Sequence, residues 1–128
     1  MLSPAPSRPR ITIVEDDVSL LNALAFALEA DGYAVSSFTA AAPLLSRPPS
    51  ADCMVIDMRL PDMDGLALIE ELRALGPQPT AILITTNPDD RLRRAAAKAH
   101  VAIVEKPLIG GELRRQIEAA VHRATDAV

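Results

Sequence analysis

Five short apolar runs, each followed by a segment with helical spacing, constrain this chain more than any other feature. The runs are residues 10–14, 33–37, 52–57, 80–85 and 101–104. Each is too short to be a helix of the core, so each reads as a strand, the run from Tyr33 to Ser37 weakly. Between them lie helical segments at about 17–30, 39–46, 65–75 and 88–99, and a last one at about 110–123. In the first helix Val18, Leu21, Ala25 and Leu28 fall on one face, Asp17 can cap the start and Gly32 can end it. The short second helix is stopped by Pro48-Pro49. Asp64 can cap the third, which carries Leu66, Ile69 and Leu72 or Arg73 on one side and ends at Gly76-Pro77. Pro88 falls near the first turn of the fourth, and Leu113, Ile117 and Val121 line up on the fifth. Strict βα alternation predicts an α/β fold: a doubly wound five-stranded parallel sheet with five helices on its two faces. Most of the strands are near-continuous apolar runs, as expected when both sheet faces are covered.

The length of 128 residues fits one domain, and an apolar content of 49% that is mostly Ala, Leu, Val and Ile predicts an aliphatic core. The aromatics are Phe26, Phe38 and Tyr33. A net charge of −4 argues against generic nucleic-acid binding. Cys53 is the only cysteine, so no intrachain disulfide can form, and a reducing, cytoplasmic setting is expected. Its apolar surroundings predict a buried structural thiol. No apolar stretch approaches the ~20 residues of a membrane helix. Residues 1–9 hold three prolines and no apolar block and read as a disordered tail, 10–124 as the domain, and 125–128 as a C-terminal tail.

In parallel α/β sheets the chemistry sits outside the carboxyl ends of the strands. Here those ends carry Glu15-Asp16-Asp17, Asp57, Thr85 and Lys106. Clustered carboxylates raise each other's pKa, and a hard cation relieves the repulsion. Mg2+ takes oxygen ligands and keeps waters that phosphate oxygens can replace. Two acidic strand ends and one lysine therefore suit a divalent cation and a phosphoryl group. Each element alone has a plainer reading. Acidic residues favour helix starts, Thr85 can be an ordinary strand-end threonine, and Lys106 a solvated lysine. Asp64-Gly65 reads as a cap and a turn. His100 and His122 read as surface or edge histidines. Arg91, Arg93, Arg94 and Lys98 form a basic stripe whose simpler reading is a solvated face.

With these motifs in order, the chain closely resembles the receiver domain of two-component response regulators, within the CheY-like superfamily. The resemblance runs from Arg10 to Arg123. It rests on Glu15-Asp16, on Asp57 followed by Leu60-Pro61 and Asp64-Gly65, on Thr85, and on Lys106-Pro107. It implies a flavodoxin-like strand order 2-1-3-4-5. It implies Asp57 as phosphoacceptor, and Mg2+ held directly by Asp16 and Asp57, supported by Glu15 and by the main-chain carbonyl of Arg59. Thr85 and Lys106 would hold phosphoryl oxygens, and the Lys106-Pro107 bond would be cis. The implied protein is bacterial and a switch, not an enzyme. Its partners would be a sensor histidine kinase or phosphotransfer protein and a downstream target or separate output domain. A homodimer through the fourth and fifth helices is a further expectation, whereas direct contact with nucleic acid or membrane is not expected. No helix-turn-helix pattern is legible up to Val128, which leaves both a single-domain regulator and a receiver with a separate output domain open.

Two positions depart from the family pattern. Ile103 stands where an aromatic is common, three residues before the lysine, and Thr86 stands where Ala or Gly is common. Competing readings are weaker. A haloacid-dehalogenase-type hydrolase wants a second aspartate where Arg59 stands. A flavodoxin-type anion site is opposed by Glu15-Asp16-Asp17. A receiver-like interaction module that signals without phosphorylation is kept open by Ile103 and Thr86.

Overall fold

A computed structural model describes residues 8–126. The strands are β1 (Arg10–Val14), β2 (Ala34–Phe38), β3 (Cys53–Asp57), β4 (Thr80–Thr85) and β5 (Ala102–Glu105). The helices are α1 (Val18–Ala30), α2 (Ala41–Ser46), α3 (Gly65–Ala74), α4 (Asp90–Lys98) and α5 (Glu112–Asp126). All neighbouring strands are parallel and the order is β2-β1-β3-β4-β5, as expected. The register pairs Val14 with Ile56, Asp57 with Ile84, and Thr85 with Glu105. The strand ends that carry the acids and the lysine are thus brought to one edge of the sheet.

Alternation of side chains along the central strands builds two aliphatic cores. Ile11, Ile13, Val55, Ile82 and Ile84 pack with Leu21 and Leu28 of α1 and with Leu113, Ile117 and Ala120 of α5. Val14, Met54, Ile56 and Leu83 pack on the other face with α2, α3 and Ala96 of α4. Cys53 is buried, and burial pushes its thiol pKa up to about 12, so it is an inert core residue.

The helix starts follow cap chemistry. Leu20 N–H donates to Asp17 Oδ1 (3.2 Å) and Ala67 N–H to Asp64 Oδ1 (2.8 Å), as the sequence predicts. The fourth helix starts later than expected: Leu92 N–H donates to Asp89 Oδ1 (2.8 Å), so Asp89 is the cap and Pro88 lies outside the helix. The last helix also starts late, at Glu112, because Gly110 and Gly111 take left-handed φ values of 83° and 82° that a helix does not allow. It then continues through Asp126, past the expected domain limit at 124, and residues 127–128 of the expected tail lie outside the described residues. At the other end, residues 1–7 of the expected tail are likewise outside the described residues, while Pro9 already accepts a bond from Ala34 N–H (2.9 Å) beside β1. Val18 does not join the core face of α1; it is 56% exposed. Its place in the first turn, directly after the Asp17 cap, leaves it in solvent.

Gly65 has a role that a cap-and-turn reading misses. A Cβ there would stand 2.3 Å from the main-chain oxygen of Asp57 and 2.9 Å from Leu83 Cδ1. Only a glycine lets α3 begin this close to the end of β3. Gly65→Ala is expected to destabilise the domain by about 1–3 kcal/mol through overpacking, read by urea denaturation. An unchanged midpoint would show that the contact is easily relieved.

Candidate functional site

Each site residue directly ends a strand or follows one, and backbone bonds prolong the sheet to hold it there. Glu15 N–H donates to Phe38 O (2.9 Å), Met58 N–H to Ile84 O (2.9 Å), and Lys106 N–H to Thr85 O (2.8 Å). These bonds fix the bases of Glu15, Asp57 and Lys106 before their side chains meet.

The side chains converge on the ammonium of Lys106. Its Nζ lies 2.7 Å from Glu15 Oε1 and 3.2 Å from Asp57 Oδ2. The side chains of Glu15 and Asp57 are 0% and 6% exposed, so two carboxylates share one partly exposed cation in a poorly hydrated place. Burial pushes the Glu15 carboxyl up to about 7, and the neighbouring Asp57 adds to the shift. Its bonds from Lys106 and from Asp17 N–H (3.3 Å) work the other way. Burial disfavours the Lys106 ammonium, but the bond to Glu15 and the charges of Asp57 and Glu15 outweigh it, leaving its pKa above the ordinary lysine value.

Asp16 stands exposed at the rim. One carboxylate oxygen from each of Glu15, Asp16 and Asp57 lies within 4.8 Å of the others. This is an all-oxygen donor set of the kind hard divalent cations take, and its excess negative charge suits one. A cleft of about 530 Å3 opens over these groups, lined by Asp16, Asp57, Arg59, Thr85, Thr86, Asn87 and Lys106. Of the residues that the resemblance implies for the site, Asp16, Asp57, Arg59, Thr85 and Lys106 line this cleft, and Glu15 is buried beside it. Thr85 is buried at its base, and Thr86 is exposed at its wall. Arg59 N–H donates to Asp57 Oδ1 (3.3 Å), and the Arg59 guanidinium makes no ion pair among the described residues. The Lys106-Pro107 peptide bond is cis, as expected.

The sequence reading missed three contributors. Asn87, in the left-handed region with φ 46°, lines the cleft; an asparagine after two threonines in a loop is the signal that could have marked it. Gly65 presses against Asp57 from below, and Asp62 binds a distant helix; neither left a local signal. His100 and His122 are exposed and stand outside the lining of the cleft, and the basic residues of α4 are exposed, Arg93 being paired with Glu105.

Comparison with known proteins agrees with this geometry. Residues 11–118 match the family model described as the response regulator receiver domain. The transcriptional regulatory protein FixJ of Azorhizobium caulinodans is 32% identical over 124 residues, covering 94% of this chain and 59% of that protein. The response regulator protein TodT of Pseudomonas putida is 32% identical over 117 residues, covering 89% of this chain and 52% of that protein. The chain thus spans between half and three fifths of these relatives. Among solved structures, a CheY-like receiver domain protein from Methanospirillum hungatei superposes with a TM-score of 0.87 at 26% identity, covering 95% of this chain and 100% of that one. The non-phosphorylated HemR receiver domain of Leptospira biflexa gives 0.80 at 29% identity, covering 89% and 94%.

A carboxyl whose pKa is higher folded than unfolded keeps its proton better in the native state. Without divalent cation, Glu15 therefore withdraws stability as pH rises from about 4.5 to about 7. Glu15→Gln should lack this loss, so its stability relative to the parent should rise between pH 5 and pH 8, by up to ~3 kcal/mol. A pH-independent difference would contradict the raised pKa.

Proposed function

The chain belongs to the response regulator receiver family, and from that premise we propose that it is a phosphorylation switch whose acceptor is Asp57. The observation that carries the proposal is the approach of Asp57 to Lys106 in a cleft that also holds Asp16, Thr85 and a fully buried Glu15. A sensor histidine kinase or phosphotransfer protein is the proposed donor. A downstream target or an output domain is the proposed receiver of the signal, in a bacterial cytoplasm.

The chemistry follows from the residues. Asp57, 3.2 Å from the Lys106 ammonium, is a carboxylate nucleophile. Its oxygen forms the new O–P bond while the N–P bond of the donor phosphohistidine breaks, and the electron pair stays on the imidazole nitrogen, which takes up a proton. Such a transfer needs positioning and charge neutralisation more than covalent assistance. Lys106 is close enough to follow the charge from the carboxylate to the phosphoryl oxygens. Thr85 donates its hydroxyl to the same group. Asp16 and Asp57, supported by Glu15 and the Arg59 main-chain carbonyl, would hold Mg2+, which supplies charge neutralisation for the phosphoryl oxygens when bound. Among the described residues no helix is long and apolar enough to cross a membrane.

The added charge must be read by a neighbouring surface. We place this on α4, β5 and α5, with pairing of two copies through α4 and α5 as one outcome. Ile103 is half-buried against the core that holds Ala96 of α4, so an aliphatic residue takes the aromatic's position in the packing there. The alternative, signalling without phosphorylation, has no structural observation in its favour, since all the site residues converge.

Incubation with acetyl phosphate and Mg2+ should add one phosphoryl group to the intact mass. Asp57→Asn or chelation of the metal should abolish the gain, and a gain that survives in Asp57→Asn would refute the assignment. Thr86 crowds the cleft wall with a β-branched side chain where attacking water must enter, so Thr86→Ala should shorten the lifetime of the phosphorylated form. An unchanged half-life would remove Thr86 from the account.

A further inference from the structure

The first turn of α2 is capped from the phosphoacceptor loop. Its own N-cap position is Ala40, which offers no side-chain acceptor. The amides that need partners are those of Ala41 and Ala42, because the next residue, Pro43, has no N–H. Both are taken by one side chain: Ala41 N–H donates to Asp62 Oδ1 (3.0 Å) and Ala42 N–H to Asp62 Oδ2 (2.8 Å). These two bonds hold the Asp62 carboxyl below the usual aspartate range. Asp62 lies five residues after Asp57, and the pairing spans about twenty residues of sequence.

The loop between Asp57 and α3 is tied at its base and at its apex. At the base, Met58 N–H binds Ile84 O, Gly65 N–H binds Met58 O (2.8 Å), and Arg59 pairs with Asp64 across the loop. Arg59 N–H reaches Asp57 Oδ1 itself. At the apex the fastening is Asp62 on α2. On either side of it Leu60 and Met63 pack against the core cluster that contains Ala41 and Leu44 of α2. Resting on the proposed phosphorylation of Asp57, we infer that Asp62 is a positioning residue that couples α2 to the occupancy of the phosphoacceptor.

The physical path is short. Phosphorylation turns one Asp57 oxygen from part of a carboxylate into part of an acyl phosphate, a mixed anhydride and a weaker acceptor for the Arg59 N–H than a full carboxylate. The Arg59 amide then weakens its bond to Asp57 or moves to a phosphoryl oxygen, and the loop shifts above its fixed base. The apex carries that shift to α2, whose first turn has no other side-chain cap among the described residues. By reciprocity, the state of α2 must then bias the affinity of the acceptor site for its ligand. A cap that served stability alone would do neither.

The experiment uses the full chain with Mg2+ and beryllium fluoride as the probe. Bound fluoride is followed by 19F NMR, and amide exchange is followed in residues 41–46 and, as an internal reference, in residues 85–89. In the parent protein, beryllofluoride should change exchange of the Ala41 and Ala42 amides about fivefold or more, the lower end of ordinary coupling. Asp62→Ala should speed their exchange in both states, abolish their response to the probe, keep the response at 85–89, and shift the apparent beryllofluoride affinity by a similar factor. Asp62→Asn, which keeps one acceptor oxygen without the charge, should fall between and serves if Asp62→Ala does not fold. The inference is overturned if α2 ignores bound beryllofluoride in the parent, or if Asp62→Ala binds it with unchanged affinity. If the parent binds no beryllofluoride at all, the phosphoacceptor reading itself fails, and the inference with it.

Discussion

The ion cluster of Lys106 with Glu15 and Asp57 is the interaction on which the rest of the site depends. Two carboxylates withdrawn from water are tolerable only with a cation between them, and an unpaired buried charge costs several kcal/mol. Lys106 supplies it from the end of β5, across two intervening sheet positions from β1. Burial, with the neighbouring Asp57 adding to it, pushes the Glu15 carboxyl up to about 7, and the cluster keeps an excess of negative groups that, with the rim carboxylate of Asp16, is compatible with a divalent cation. The backbone bonds that prolong β1, β3 and β5 past their side-chain cores make this convergence rigid.

The position of the cluster follows from the topology. With β1 and β3 side by side in the sheet and every strand running the same way, the residues after Val14 and at Asp57 must emerge together. The two aliphatic cores beneath leave the strands no freedom to slide, since a one-residue slip would turn each isoleucine to the opposite face. Gly65 then lets α3 start against the Asp57 carbonyl, so Asp57 is pinned from behind as well as beside.

Much of this was legible in the sequence because period and caps are local signals. Ile11 to Val14 and Thr80 to Thr85 could be nothing but buried strands, and Asp17 and Asp64 cap the helices that their spacing predicts. Apart from Val18, which spacing put on the core face of α1, the differences lie at boundaries where two local signals compete. Pro88 reads as a first-turn proline, yet Asp89 behind it is the better acceptor and takes the cap. Gly110-Gly111 delays α5 by adopting a conformation that spacing does not reveal. What the sequence hid was contact at a distance: the burial of Glu15, the grip of Asp62 on α2, and the close approach at Gly65. None of these has a fixed sequence interval, and each exists only once the sheet has ordered the chain.

The negative ends of β1 and β3, balanced by Lys106, are proposed to form one cation-dependent phosphoryl site. Titration with Mn2+ under 15N NMR tests it most directly, because paramagnetic broadening falls steeply with distance from the bound ion. The amides of Asp16, Asp57 and Arg59 should broaden first, at substoichiometric metal. Broadening centred instead on other exposed carboxylates, such as Glu70 and Glu71 of α3, or spread evenly over the surface, would contradict it.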